Sequence, residues 1–209
     1  MQRLLRIGLD FHGTIVDIQE LKEAFSQQFL GKHYSGEWLK RHLLVRIGLS
    51  EKRYETLLKY IIERISYFQH AKPYGDAIPV IQQLERDEQQ LFLITASGKR
   101  AFLTAMQWCK MKNIFHPPSE MYSVDRYNSK AELVDALKLD VFVDNNLDQL
   151  TMIRQHFLNK DKIMPFLMLM TDQHNRDLTV PDGITRVDDW DKCYEYIDTL
   201  ANIDELLSR

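Results

Sequence analysis

The sequence predicts a doubly wound α/β fold: a parallel sheet with helices on both faces and a small helical cap inserted after the first strand. Three observations carry this. Short, nearly continuous apolar runs recur along the 209 residues, as strands buried on both faces require. Helix-periodic segments alternate with them. After the first run, however, the pattern from Ile18 to about Phe68 is helical, which reads as an insertion from about Val16 to Lys72. The expected division is a core of residues 1–15 and 73–209 with a cap of residues 16–72.

The elements follow in order. Leu4 to Phe11 reads as a buried strand closed by Gly13. "IQELKEAFSQQFL" and "GEWLKRHLLVRI" read as two helices, punctuated by Gly31, Gly36 and Gly48. "LSEKRYETLLKYIIERISYF" reads as a third, with Ser50 as its cap. Its Tyr54, Leu57, Leu58, Ile61, Ile62 and Ile65 recur at helical spacing and make a cap core. Pro73 and Gly75 end the block, and a helix follows through "AIPVIQQL". Gln90 to Thr95 is the second strand and "KRAFLTAMQWCKMKNIF" an amphipathic helix. A strand is expected at Met121 to Val124, then the helix "SKAELVDALKL" and the strand "DVFVDNN". "LDQLTMIRQHFL" is a helix, "MPFLMLMT" a strand, and "GITRVDDWDKCYEYIDTL" a short strand with a final helix.

Composition narrows the class. Hydrophobic residues make up 44% and charged residues 27%, as in an ordinary globular protein. Net charge is −3 and the basic residues are scattered, so a surface for a nucleic-acid polymer is not expected. Cys109 and Cys193 form no CxxC pair, and a reducing cytoplasm is the expected setting. Arg6 and Asp10 interrupt the apolar start, which rules against a signal peptide, and "IMPFLMLM" is too short to span a bilayer. No membrane association is expected.

In doubly wound sheets, ligands bind beyond the carboxyl ends of the strands. The polar residues there are Asp10, His12 and Thr14 after the first strand, and Thr95 and Ser97 around Ala96 after the second. Lys130 opens a later helix. Asp144 ends another strand, followed by Asn145 and Asp148. Two carboxylates, a hydroxyl and an amine therefore converge on one rim. This set suits phosphoryl transfer. Paired acids hold magnesium, which prefers oxygen ligands. An Asp beside the ion can attack phosphorus. A hydroxyl, backbone N–H groups and a lysine hold the phosphoryl oxygens and offset their charge.

"DFHGT", "LFLIT", Lys130 and "VFVDNNLD" stand in this order and at this spacing. Together they resemble the four motifs of the haloacid dehalogenase superfamily, over nearly the whole chain. The resemblance implies a Rossmann-like core with a C1-type cap, magnesium as cofactor, and a small phosphorylated metabolite as substrate. By the same resemblance Asp10 is the nucleophile and His12 the acid/base. Thr95, Ala96 and Lys130 hold the phosphoryl group. Asp10, Asp144 and the carbonyl of His12 bind the metal, and Asp148 holds a metal-bound water or Lys130. Asn145 stands where many members carry a second Asp. The tail "ITRVDDWDKCYEYI" is similar to that of the 5'-nucleotidase-like members.

Histidine at position 12 departs from the pattern, where the family has the acid/base Asp. An imidazole with an ordinary pKa of about 6.5 can exchange protons, but a neighbouring magnesium ion favours its neutral form. The alternative to a working phosphatase is therefore a catalytically impaired relative that binds a phosphorylated ligand or partner without turnover. Taken singly, Thr95 reads as a strand residue, Lys130 as a solvated helix start and Asp148 as a first-turn acid. "SGKR" at 97–100 lacks the upstream glycine of a phosphate loop. Arg41, Arg46, Arg53 and Lys59 read as a solvated face, and the other histidines as ordinary surface or core residues.

Overall fold

A computed structural model of the chain describes residues 3–39, 43–96, 98–116 and 119–203. Six strands form one sheet: β1 (Arg6–Asp10), β4 (Gln90–Thr95), β5 (Glu120–Ser123), β6 (Val141–Asp144), β7 (Phe166–Met170) and β8 (Ile184–Val187). Their order is β5-β4-β1-β6-β7-β8, and every neighbouring pair is parallel. The central strands are buried on both faces, which is why their sequences run apolar without alternation.

Alternate strand residues serve different faces. Ile7, Leu9, Leu91, Leu93, Val141 and Val143 pack into one cluster that includes residues of α4 (Ala77–Arg86), α5 (Lys99–Met111) and α8 (Trp190–Ala201). Phe92, Ile94, Phe142, Leu167 and Leu169 pack on the other face against α6 (Lys130–Ala136) and α7 (Leu147–Asn159). Cys109 and Cys193 are both buried and free. Burial pushes both thiols up, Cys193 to about 12, so neither is a nucleophile at neutral pH.

The chain leaves and re-enters the core through a two-stranded antiparallel ribbon, β2 (Val16–Asp17) against β3 (Lys72–Pro73). Between these strands lie α1 (Gln19–Leu30), α2 (Glu51–Ile62) and α3 (Ile65–Phe68). Leu30, Tyr54, Leu57, Ile61 and Phe68 belong to the same cluster as one face of the sheet. The join is aromatic: Phe68 meets Phe11 and Trp108, with centroids 5.8 and 6.5 Å away. Trp108 Nε1 donates to the Ala71 carbonyl at 3.2 Å.

Two expected helices differ from the structure. In "GEWLKRHLLVRI" Gly36–Trp38 is a short 3-10 turn, residues 43–48 are 3-10 and turn rather than α-helix, and residues 40–42, Arg41 among them, lie outside the described residues. The segment is pinned along α1 instead. Gly36 N–H donates to Glu23, and a Cβ at Gly36 would sit 2.3 Å from the Gln19 carbonyl oxygen. Tyr34 N–H donates to Ser26 Oγ. The third helix ends at Ile62, and Arg64 is extended before α3 turns Phe68 into the core. Ser50 occupies the cap position of α2, but its side chain makes no capping bond. Its carbonyl accepts from the Arg53 and Tyr54 N–H groups.

Candidate active site

The carboxyl ends of β1 and β6 lie level, because Leu9 pairs in register with Val143. This puts Asp10 and Asp144 side by side. Lys130, the first residue of α6, reaches between them. Its Nζ donates to Asp10 Oδ1 and Asp144 Oδ2, each at 2.6 Å. Ser129 fixes that helix start by accepting the Glu132 N–H at 3.2 Å. All three charged residues are buried: Asp10 7%, Lys130 5% and Asp144 1% exposed.

Burial alone would lower the pKa of Lys130, but Asp10 and Asp144 outweigh it and hold the ammonium charged. Burial pushes the Asp144 carboxyl up to about 6; Lys130 pulls against this and Asp10 adds to it. Two carboxylates against one ammonium leave a buried excess of one negative charge. Asp144 Oδ1 also accepts the Asn146 N–H at 2.9 Å.

After Asp10 the chain turns tightly. The Phe11 carbonyl accepts from both Ile15 and Val16, and Gly13 adopts φ +91°. A Cβ there would lie 2.4 Å from Asn145 Nδ2, so both backbone and space demand glycine. Thr14 is fully buried. Its Oγ1 accepts the Asn145 N–H at 3.0 Å and lies 3.5 Å from Asp10 Oδ2. Its carbonyl accepts from Trp190 Nε1 at 3.1 Å.

His12 sits at the rim, half-buried, with its ring edge-on to Phe11 and Phe68 at 4.9 and 5.8 Å. Burial pushes its imidazole down to about 3, helped by the cations of Lys22 and Lys130. It opens onto a cleft of about 440 Å³ between the helical block and the sheet. The helical wall includes Lys22, Tyr54, Leu58 and Ile62; the sheet wall includes Asn145, Asp148, Asp172 and His174.

Other expected site residues fall as follows. Thr95 is buried at the end of β4, one residue beyond the partner of Asp10. Ala96 is exposed at the same rim, and Ser97 lies outside the described residues. Asp148 is exposed in the first turn of α7 and lines the cleft; Lys130 pairs with Asp10 and Asp144, not with it. Arg46, Arg53 and Lys59 do not line the cleft, and Arg53 binds the Leu30 carbonyl at the end of α1.

Asp172, His174 and Lys22 line the cleft although the sequence reading passed over them. Asp172 had a signal. It lies two residues beyond the apolar strand "FLMLM", at the same carboxyl edge that Asp10 and Asp144 end. Lys22 had none, being the lone lysine of the amphipathic helix α1.

Among the described residues, no three His, Cys, Asp or Glu side chains gather as a metal cluster. The donors at this rim are the carboxylates of Asp10 and Asp144, two acids that share one ammonium. Oxygen donors of this kind fit magnesium, which binds through one or two carboxylates and keeps several waters. No helix among the described residues is long and apolar enough to cross a membrane.

No family model matches the chain. A curated relative from Oceanobacillus iheyensis, named "Putative nucleotidase OB0422", is 26% identical over 168 residues, covering 76% of this chain and 88% of that protein. A haloacid dehalogenase-superfamily hydrolase from Ehrlichia chaffeensis superposes with a TM-score of 0.60 at 11% identity, over 96% of this chain and 98% of that one. The L-2-haloacid dehalogenase RSc1362 gives 0.61 at 14% identity, over 93% and 99%. With its parallel six-stranded sheet, its strand order and these near-complete superpositions, the chain has the fold of the haloacid dehalogenase superfamily.

Proposed function

We propose that the chain is a magnesium-dependent hydrolase of a small phosphorylated metabolite, working through a phosphoryl group held covalently on Asp10. The observation that carries this reading is Lys130 bridging two buried carboxylates, 2.6 Å from each, at the ligand-binding rim of a parallel sheet. The nucleotidase named among the relatives supports a phosphate monoester as substrate.

The residues take these roles. Asp10 attacks phosphorus; the P–O bond to the leaving alcohol breaks, and the alcohol oxygen takes up a proton from solvent in the cleft. Water then attacks the phosphoryl group on Asp10, releasing inorganic phosphate and restoring the carboxylate. Lys130, Thr95 and the backbone beyond it at Ala96 hold the phosphoryl oxygens. Asp10, Asp144 and the carbonyl of His12 would hold magnesium, with Asp148 on a bound water. The ion supplies charge compensation for the phosphoryl oxygens. His12 faces the cleft where the leaving group must sit. Its imidazole is depressed first by burial and then by the cations of Lys22 and Lys130, and a bound phosphoryl group opposes the cationic part alone. The block 16–72 acts as the cap that selects the substrate.

The test is phosphate release from p-nitrophenyl phosphate with magnesium. Wild type is expected to turn over, and Asp10→Asn to fall to the rate without enzyme; equal rates in both remove Asp10 from the mechanism. Histidine at position 12 and asparagine at 145, where the resembling family carries acids, favour a second reading, a phosphate-binding protein without turnover. An inert wild type that gains activity on His12→Asp supports that second reading.

A further inference from the structure

Asn145 holds the Asp10 turn from outside. Its N–H binds Thr14 Oγ1, its side chain packs against Gly13, and its Nδ2 donates to Asp172 Oδ2 at 3.1 Å. A carboxylate only accepts, so this contact fixes which way the Asn145 amide faces. Asp172 is itself locked. It is 5% exposed, and its Oδ1 accepts the His174 and Asn175 N–H groups at 2.7 and 2.9 Å. Asn175, also buried, closes the ring. Its Nδ2 donates to the Asn145 and Met170 carbonyls, and its Oδ1 accepts from Asp172 N–H and Arg186.

We propose that Asp172 is a positioning residue for Asp10, acting through Asn145 on the Gly13–Thr14 turn. This rests on the phosphatase reading above. It also gives position 145 a reason to be asparagine. An aspartate there would set a second carboxylate against Asp172 at the 3.1 Å where an amide now donates. Two carboxylates only accept, so the donor that closes the tether is lost.

The geometry allows an exchange. When Asn145→Asp is combined with Asp172→Asn, the amide now at position 172 directs its oxygen to the two backbone N–H groups. Its NH2 group then donates to the carboxylate now at position 145. The tether re-forms with its polarity reversed.

The experiment measures kcat and KM for p-nitrophenyl phosphate with magnesium, and the rise in Tm on adding magnesium, for wild type, both single variants and the double variant. Circular dichroism identifies a temperature at which all four are folded. Asn145→Asp is expected to lose about 10- to 100-fold in kcat/KM, mostly in kcat, as when an outer partner of a metal ligand is removed. Its magnesium-induced rise in Tm shrinks. The double variant recovers both to within about threefold of wild type, a coupling that independent sites do not show. Losses that simply multiply overturn the proposal. So does a double variant whose Tm recovers while turnover and magnesium response stay depressed, because that marks a purely structural contact. A wild type inert toward the probe whose magnesium response still follows this pattern rejects the phosphatase reading and keeps the tether. A wild type with neither response rejects both.

Discussion

Replacing Lys130 by methionine keeps the stem and removes the ammonium. Two carboxylates then face each other in a site where Asp10 and Asp144 are 7% and 1% exposed. At an effective dielectric of 20, each 2.6 Å contact carries a gross attraction of about 6 kcal/mol. Desolvation of the ammonium and repulsion between the acids offset most of this. Breaking one partner out of such a buried cluster costs about 3–5 kcal/mol. The cost depends on pH with a definite sign. Without Lys130 the acid pair keeps one proton in the folded state to a pKa well above the unfolded value of about 3.9, so its folded pKa is raised. Stability gained from that proton is present at low pH and lost as pH rises through the raised pKa. In wild type, Asp144, already raised to about 6, does this over a narrower window. Urea unfolding at pH 8 should therefore show the full loss, and at pH 5 a clearly smaller one. A variant within about 1 kcal/mol of wild type at pH 8, or one equally weakened at both pH values, refutes the reasoning.

Gly13→Ala sets a Cβ 2.4 Å from Asn145 Nδ2 at φ +91°, against a side chain that Asp172 holds in place. It is expected to cost about 1–3 kcal/mol in denaturant unfolding and to reduce turnover together with it; a neutral effect on both shows that the turn can yield. Asp135 accepts from Lys162 and His156, which hold its carboxyl down at about 2. That stability is present above about pH 4 and lost as pH falls through about 2. Asp135→Asn should therefore cost on the order of 1–2 kcal/mol at pH 7, after allowance for its partial exposure, and little at pH 2 in the same unfolding assay. A loss independent of pH points to packing instead.

Most of the sheet could be read from the sequence, because strands buried on both faces leave unbroken apolar runs. Gln90–Thr95 is one such run, and the structure puts β4 there. Asp10, Thr95 and Asp144 could be placed because strand direction alone puts them on one rim. Which carboxylates Lys130 would join could not be read, since that depends on the register between β1 and β6. Asp172 was open to the same rule as Asp10 and was missed, as no motif pointed to it. The helical block was harder. At "GEWLKRHLLVRI" helical spacing did not foretell the close approach of Gly36 to the Gln19 carbonyl, where Gly36–Trp38 forms a short 3-10 turn. Periodicity also ran through Glu63 and Arg64, where the need to return Phe68 to the core ends the helix.

The central claim is that Asp10 carries the phosphoryl group during turnover. Acid quenching of the wild-type protein during hydrolysis of a radiolabelled phosphate monoester tests it most directly. The label should remain on the peptide that contains Asp10, require magnesium, and be absent from Asp10→Asn. Steady release of labelled phosphate with none trapped on that peptide, and the same release from Asp10→Asn, contradicts it.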